Sequence, residues 1–244
     1  MKTWKFLVIL ILINTPKLAL AQVRESDKLD IQKLEEKYWS AKDDDFKVVQ
    51  NRTYAKEDRF FVNLAWGVPI NDPYSSGALT TITGGYFFNE RYGLEGYYSS
   101  GGYTNNQATE QFIQDHGTFP NHNKFLSAFG LGATWMPFYA KMAFLEQKII
   151  YFDMGASLNL GLTNFLQKVS DGDRTASGIH YGITLTQSYF FSTRFAIRLD
   201  YRNIWTPEER LRYKLNPGEQ ESARSLGVKP INDTTLQIGL TYWH

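Results

Sequence analysis

The chain contains no cysteine. That excludes disulfide frameworks, thiolate metal sites, iron–sulfur clusters and cysteine nucleophiles. It has almost no net charge: 26 Lys+Arg stand against 25 Asp+Glu, a formal +1 over 244 residues. No single-sign field is available to hold nucleic acid, which is not an expected partner, or to dock on an anionic membrane. Long apolar runs are missing as well. None reaches the ~20 residues that a spanning helix needs. Mean hydropathy is −0.37, too polar for a helical membrane protein. What abounds is the aromatic ring, with 15 Tyr, 17 Phe and 6 Trp in a chain that is polar on average.

Residues 1–21 read as an export signal. Lys2 and Lys5 give a basic start, Phe6 to Ile13 an apolar run, and Ala19-Leu20-Ala21 a small-x-small motif with cleavage expected after Ala21. A membrane anchor is the other reading, but the run is too short for one. Removing 1–21 takes away Lys2, Lys5 and Lys17 and no acid, leaving 23 basic against 25 acidic residues. Export without cysteine suits a bacterial protein better than a disulfide-stapled secreted one.

Residues 22–58 read as a periplasmic N-terminal helix and linker. From about Ser26 to Ser40, Leu29, Ile31, Leu34 and Tyr38 form an apolar stripe among Lys28, Asp30, Lys33, Glu35, Glu36 and Lys37. A helix of about four turns is marginal alone. The stripe must therefore pack on its own copy, on the rest of the chain or on a partner. Asp43-Asp44-Asp45 reads as a solvated charge cluster in the linker, not as a metal site.

From Arg59 to the end, residues 59–244, apolar and small or polar residues alternate with a period of two. Phe60, Val62, Leu64, Trp66 and Val68 share one face. Ile150, Phe152, Met154, Ala156, Leu158 and Leu160 alternate with Tyr151, Asp153, Gly155, Ser157, Asn159 and Gly161. Similar ladders run over 79–88, 93–101, 125–136, 178–190, 195–205 and 236–243. Each of these eight approaches the ~9–11 residues of a tilted transmembrane strand. The polar faces are rich in Gly, Ser, Thr and Asn, which suits the crowded interior of an eight-stranded barrel. The apolar faces suit lipid, with Trp66, Trp135, Tyr201 and Tyr242 as an aromatic girdle. In a bilayer the sheet must close to satisfy its backbone. The expected fold is an all-β, eight-stranded antiparallel transmembrane β-barrel with a short N-terminal helix. A secreted lipocalin-like barrel is the other candidate.

Connection lengths support the barrel. Asn89–Tyr92 and Ser192–Arg194 read as short turns; Tyr103–Lys124, Thr163–Ala176 and Thr206–Asp233 read as long loops. Asn71–Gly77 is intermediate. Phe138–Gln147 exceeds a tight turn, and its Met142, Phe144 and Leu145 are expected at the membrane interface.

The final residues, Gln237 to His244, resemble the C-terminal signal read by the barrel-assembly machinery. Gly239 and Tyr242 match it, and His244 stands in place of the usual terminal Phe. More of the chain resembles the outer membrane beta-barrel domain family of myxobacteria and bdellovibrios. The resemblance is carried by Val48–Arg52, by Gly67–Pro73, by Gly85–Glu95 across the first hairpin, and by Phe195–Arg202. It implies a small barrel with a helical lead-in and no catalytic residues.

Glu95, Asp153, Arg198, Asp200 and Arg202 fall on the inner face. Buried charges need partners, so a lumenal network is expected, with Arg198 and Arg202 forking onto Asp153, Asp200 or Glu95. His180 also points inward, where a hydrogen-bonding structural role fits; no motif marks a nucleophile beside it. His116, His122 and Asp115 share a loop without enough ligands for a metal site. Ser170-Asp171-Gly172-Asp173 lacks the later ligands of a calcium loop. No cofactor is expected. The functional expectation is a non-enzymatic, structural and lipid-organising barrel. Its partners would be outer-membrane lipid and copies of itself, assembled through the N-terminal helix into a ring enclosing lipid. The alternatives are a monomer binding a surface partner through Phe112, Ile113 and Phe119, a narrow gated pore, or a lipid-modifying enzyme.

Overall fold

The computed structural model describes residues 52–144 and 148–244. The export signal and the apolar stripe of Leu29, Ile31, Leu34 and Tyr38 lie outside them, as does Leu145. The elements are β1 (Arg59–Pro69), β2 (Ser75–Phe87), β3 (Tyr92–Asn105), α1 (Gln107–His116), β4 (Asn123–Phe144), β5 (Lys148–Gln167), β6 (Arg174–Phe190), β7 (Phe195–Leu211), a 3-10 turn (Glu221–Arg224) and β8 (Ser225–Trp243). Each strand pairs antiparallel with its sequence neighbours, and β8 pairs with β1 to close the barrel. This is an eight-stranded antiparallel transmembrane β-barrel.

The period-two pattern sets which side chains go in. Along β1, Phe61, Asn63 and Ala65 are buried while Phe60, Val62, Leu64 and Trp66 are exposed. The same alternation leaves Leu131 73% and Leu158 68% exposed. Large aliphatics on show all round a closed wall have no soluble explanation; they are the surface that lipid covers. The outer wall changes character at a polar belt. Asn164 bridges Ser127 and Ser177, and Asn203 bridges Thr234 and Asn232. Beyond this belt the strands run on as a polar extension toward the long loops.

Those extensions shorten the loops relative to the sequence expectation. The connections are residues 168–173 between β5 and β6 and 212–224 between β7 and β8. Cross-strand pairing continues through polar stretches such as Glu208↔Lys229, where alternation of hydrophobicity gives no signal. The long second loop holds a ten-residue helix that alternation could not reveal. Asn106 caps α1 by accepting from the Thr109 N–H, and Gly117 ends it in the left-handed conformation at φ 61.

Residues 138–144, expected as part of a loop, are strand instead. After a bulge at Trp135/Phe138, β4 pairs with β5 from Phe138↔Met154 to Phe144↔Lys148. Pro137 cannot donate to a ladder, so the break falls there. β3 ends at Tyr92 opposite Trp135 and β6 ends at Phe190 opposite Tyr151. The β4–β5 hairpin therefore projects beyond the other short-turn connections.

Candidate functional site

Most of the buried polar side chains among the described residues line the lumen, which is filled in layers. At the short-turn end Phe61, Phe87, Met136, Phe190, Ala196 and Trp243 form an apolar plug. Here inward alternation supplies rings, not the small residues that the sequence pattern led us to expect. Tyr54 stacks on Phe190 with ring centroids 5.2 Å apart and meets Tyr151 edge-on at 5.4 Å.

Lys56 enters the lumen beside this plug. It is 1% exposed and pairs with Asp153, itself 1% exposed, and sits 4.8 Å from the centre of the Phe87 ring. Arg52 anchors the same segment outside, with Nη1 donating to Glu90 at 3.1 Å and its guanidinium over the Tyr139 ring at 4.7 Å. The stretch read as linker therefore puts one side chain, Lys56, inside the barrel.

The next layer is the Arg198 cluster. Its Nε donates to both oxygens of Asp200, at 2.8 and 2.9 Å, and its Nη2 donates to Glu95 at 3.0 Å and to Thr186 at 3.2 Å. Thr186 also donates to Asp200 at 2.6 Å. Above it, Arg202 lies 4.0 Å over the Tyr97 ring and donates to Ser99 and Thr184. Among the described residues it meets no carboxylate within salt-bridge distance. The expected single network is thus one ion pair, one triad and one cation over a ring. Arg198 takes Glu95 and Asp200 as foreseen; Asp153 belongs to Lys56, and Arg202 is held by a π-face and hydroxyls.

His180 is wholly buried. Its Nε2 lies 2.6 Å from the Tyr97 hydroxyl and its Nδ1 2.9 Å from Thr163 Oγ1. A neutral ring accepts the Tyr97 proton at Nε2 and donates from Nδ1 to Thr163, which also accepts from Thr206 at 3.2 Å. The cavity beside this chain, bounded by Leu79, Tyr97, Tyr103, Arg202 and Asp233, holds about 20 Å³. That is room for roughly one water, of ~30 Å³ in the liquid, and no substrate.

The upper mouth is closed by polar contacts. Asn123 donates to Glu208 at 2.8 Å, and Lys124 to Asn105 at 3.0 Å. Glu208 stands above the polar belt, and burial pushes its carboxyl up to about 7 against the opposing Asn123 hydrogen bond. His122 stacks on Tyr74 at 4.5 Å, and burial lowers its pKa. No group of three or more metal-ligating side chains occurs among the described residues.

The four girdle residues all face outward. Trp135 and Tyr242 lie at the short-turn end, opposite Tyr92 and Phe195. Trp66 lies higher, and Tyr201 lies mid-wall opposite Leu185 and Leu236. Strand tilt spreads them over different heights, so they are not one ring. Gly239 packs against β1, where a side chain would meet Ala65 Cβ and Leu64 O at 2.8 Å. His244 N–H donates to Phe60 O at 3.0 Å.

The residue that sequence reasoning missed is Lys56. A signal existed: three inward acids, Glu95, Asp153 and Asp200, faced two inward arginines. A buried set tends toward neutrality, so a third cation had to come from somewhere.

No family model matches the chain, and no curated protein is similar to it. Among solved structures it is similar to Neisserial surface protein A, at 15% identity and TM-score 0.43, over 76% of this chain and 99% of that one. It is similar to the N-terminal β-barrel domain of Pseudomonas aeruginosa OprF, at 11% identity and TM-score 0.45, over 77% and 98%. It is also similar to Ail, the attachment invasion locus protein of Yersinia pestis, at 13% identity and TM-score 0.40, over 77% and 99%.

Proposed function

We propose that this chain is a non-enzymatic outer-membrane barrel of a Gram-negative bacterium, with a structural, lipid-organising role. The observation that carries the reading is a closed barrel with an apolar outer wall and a lumen packed from end to end. A filled lumen neither conducts nor binds a substrate, so the work falls to the outer wall, the loops and the N-terminal segment. On this reading the short turns and the N-terminal segment face the periplasm. The Leu29, Ile31, Leu34 and Tyr38 stripe joins copies into a homo-oligomeric ring that encloses outer-membrane lipid. The β8 end, with Gly239, Tyr242 and His244, is the segment that the barrel-assembly machinery would read. The Gly85–Glu95 and Phe195–Arg202 motifs support the likeness to the outer membrane beta-barrel domain family of myxobacteria and bdellovibrios.

Two measurements test this. Deleting residues 22–45 should convert an oligomer into a monomer on a native gel; an unchanged band rejects the ring. In planar bilayers the isolated barrel should pass no steady current; ohmic conductance would favour the narrow-pore reading instead. The second reading, a barrel whose external loops bind a surface ligand, is favoured by a cleft among those loops.

A further inference from the structure

We propose that the loop end of the barrel carries a binding cleft for an acidic saccharide. The proposal rests on the reading that the long loops face outside the cell. The cleft lies where α1 meets the β7–β8 loop and has a volume of about 240 Å³. Phe112, Phe119 and Tyr213 supply its rings, Arg212 and Lys214 its cations, and Asn121 its polar edge.

The walls are fixed. The Tyr213 N–H donates to Asn121 Oδ1 at 3.0 Å. The Tyr213 carbonyl accepts from Ser170 N–H at 2.9 Å and from Arg224 Nη1 at 3.2 Å. Its ring packs on Phe119 with centroids 5.1 Å apart. A loop so tied is already ordered and costs a ligand little entropy.

The cations are available. The Arg212 side chain makes no hydrogen bond among the described residues. It forms an ion pair with Glu219 at 3.7 Å, beyond hydrogen-bond reach, and Glu219 also accepts from Asn216 N–H and Nδ2 at 3.0 and 2.9 Å. Lys214 donates one proton to Gly117 O at 3.0 Å, leaving two. A guanidinium fork whose N–H groups make no hydrogen bond among the described residues is suited to a carboxylate or phosphate. The electron-rich ring faces beside it suit the C–H face of a pyranose. A neutral sugar would satisfy the rings and leave the fork unused. A simple anion would do the reverse. A sugar bearing a negative charge uses both. Such a sugar could be the core of the cell's own lipopolysaccharide or a free polysaccharide.

The test uses the full mature chain refolded in detergent without lipopolysaccharide, probed by calorimetry with a galacturonic acid trimer and the matched galactose trimer. The acidic trimer should bind at least about tenfold more tightly, as loss of charge-assisted hydrogen bonds implies. Arg212→Gln with Lys214→Gln should remove that preference while the heat-dependent gel shift of the barrel is kept. Equal binding of both trimers, or of the acidic trimer to wild type and variant, overturns the proposal. Purified lipopolysaccharide is then added as competitor. Displacement of the trimer assigns the site to the outer leaflet, and binding without displacement assigns it to free saccharide. If neither trimer nor lipopolysaccharide binds, the proposal fails, and the wild-type comparison decides this even if the variant does not fold. Because the chain has no cysteine, Asn216→Cys labelled by an impermeant maleimide on intact cells reports loop orientation separately. Unlabelled cells would reject the topology, whatever the binding result.

Discussion

Replacing Arg198 by Met should be the most damaging single change in the lumen. The side chain is 5% exposed and makes four donor contacts, to Asp200 Oδ1 and Oδ2, Glu95 Oε2 and Thr186 Oγ1. Met keeps much of the volume and removes the charge. Two carboxylates are then left facing each other out of water, with only Thr186 still donating to Asp200. Breaking a buried pair costs about 3–5 kcal/mol. Taking about 4 kcal/mol and a urea dependence of about 2 kcal/mol per molar, the unfolding midpoint should fall by about 2 M. Urea titration of the barrel in detergent, read by tryptophan fluorescence, measures this. Two comparisons give the result meaning. Arg174 pairs with Asp171 at 3.2 Å and with Glu221 at 2.8 Å, all three side chains near half exposed, and Arg174→Met should cost under about 1 kcal/mol. The triple change Glu95→Leu, Arg198→Met, Asp200→Leu removes every charge at once and should recover most of the loss, since apolar replacement of a buried ion set is often neutral or better. A triple variant as unstable as Arg198→Met would refute the electrostatic account and make the defect one of packing.

Three further outcomes follow from the same geometry. Lys56→Met strands Asp153 in the plug and should lower the temperature of the gel shift, with a loss of about 3 kcal/mol; adding Asp153→Asn should restore much of it, and no recovery would mean that Lys56 acts through packing on Phe87. At Gly161 a Cβ would collide with the Phe129 carbonyl and stand 2.6 Å from Gly130 Cα and 2.8 Å from His180 Cε1, so Gly161→Ala should fail to give the heat-shifted form, whereas Gly84→Ala, whose nearest neighbour is Phe61 O at 3.9 Å, should fold. The Glu208 carboxyl, pushed up from 4.5 to about 7, is a raised group: its contribution is fully present below the unfolded value and is lost as pH rises through the folded one, so protease cleavage of the outer loops should quicken between about pH 5 and pH 8, and Glu208→Gln should flatten that profile.

How much of this was legible in the sequence depended on which force left a mark there. Lipid outside and a tight lumen inside impose alternation residue by residue, so Phe60 through Val68 and Ile150 through Leu160 declared their strands and their faces. The parity also put Glu95, Arg198 and Asp200 inside, and their ion pairs followed from charge. Above the polar belt both faces meet water, alternation lapses, and strand pairs such as Glu209↔Val228 left no trace. The β4–β5 projection was hidden for a related reason: Met136 and Pro137 shift the parity at a bulge, and a reader counting by twos reaches a loop. α1 was hidden by its shortness and its weak amphipathicity in a loop. Lys56 had no periodic context at all, and only the charge deficit on the inner wall pointed to it.

The aromatic excess resolves into two populations with different work to do. Rings such as Phe60, Tyr92, Trp135, Phe195 and Tyr242 lie on the outer wall, where an amphipathic ring gains most at the boundary between lipid and water. Phe61, Phe87, Phe190 and Trp243 turn inward from the same strand ends and close the mouth. One strand end thus serves both, by parity: in β8, Tyr242 faces lipid and Trp243 faces the plug. A barrel sealed this way, with ion pairs stacked above the seal, has committed its interior to stability. At the loop end, the Arg212–Tyr213–Lys214 cleft is where cationic side chains and tied aromatic rings coincide among the described residues.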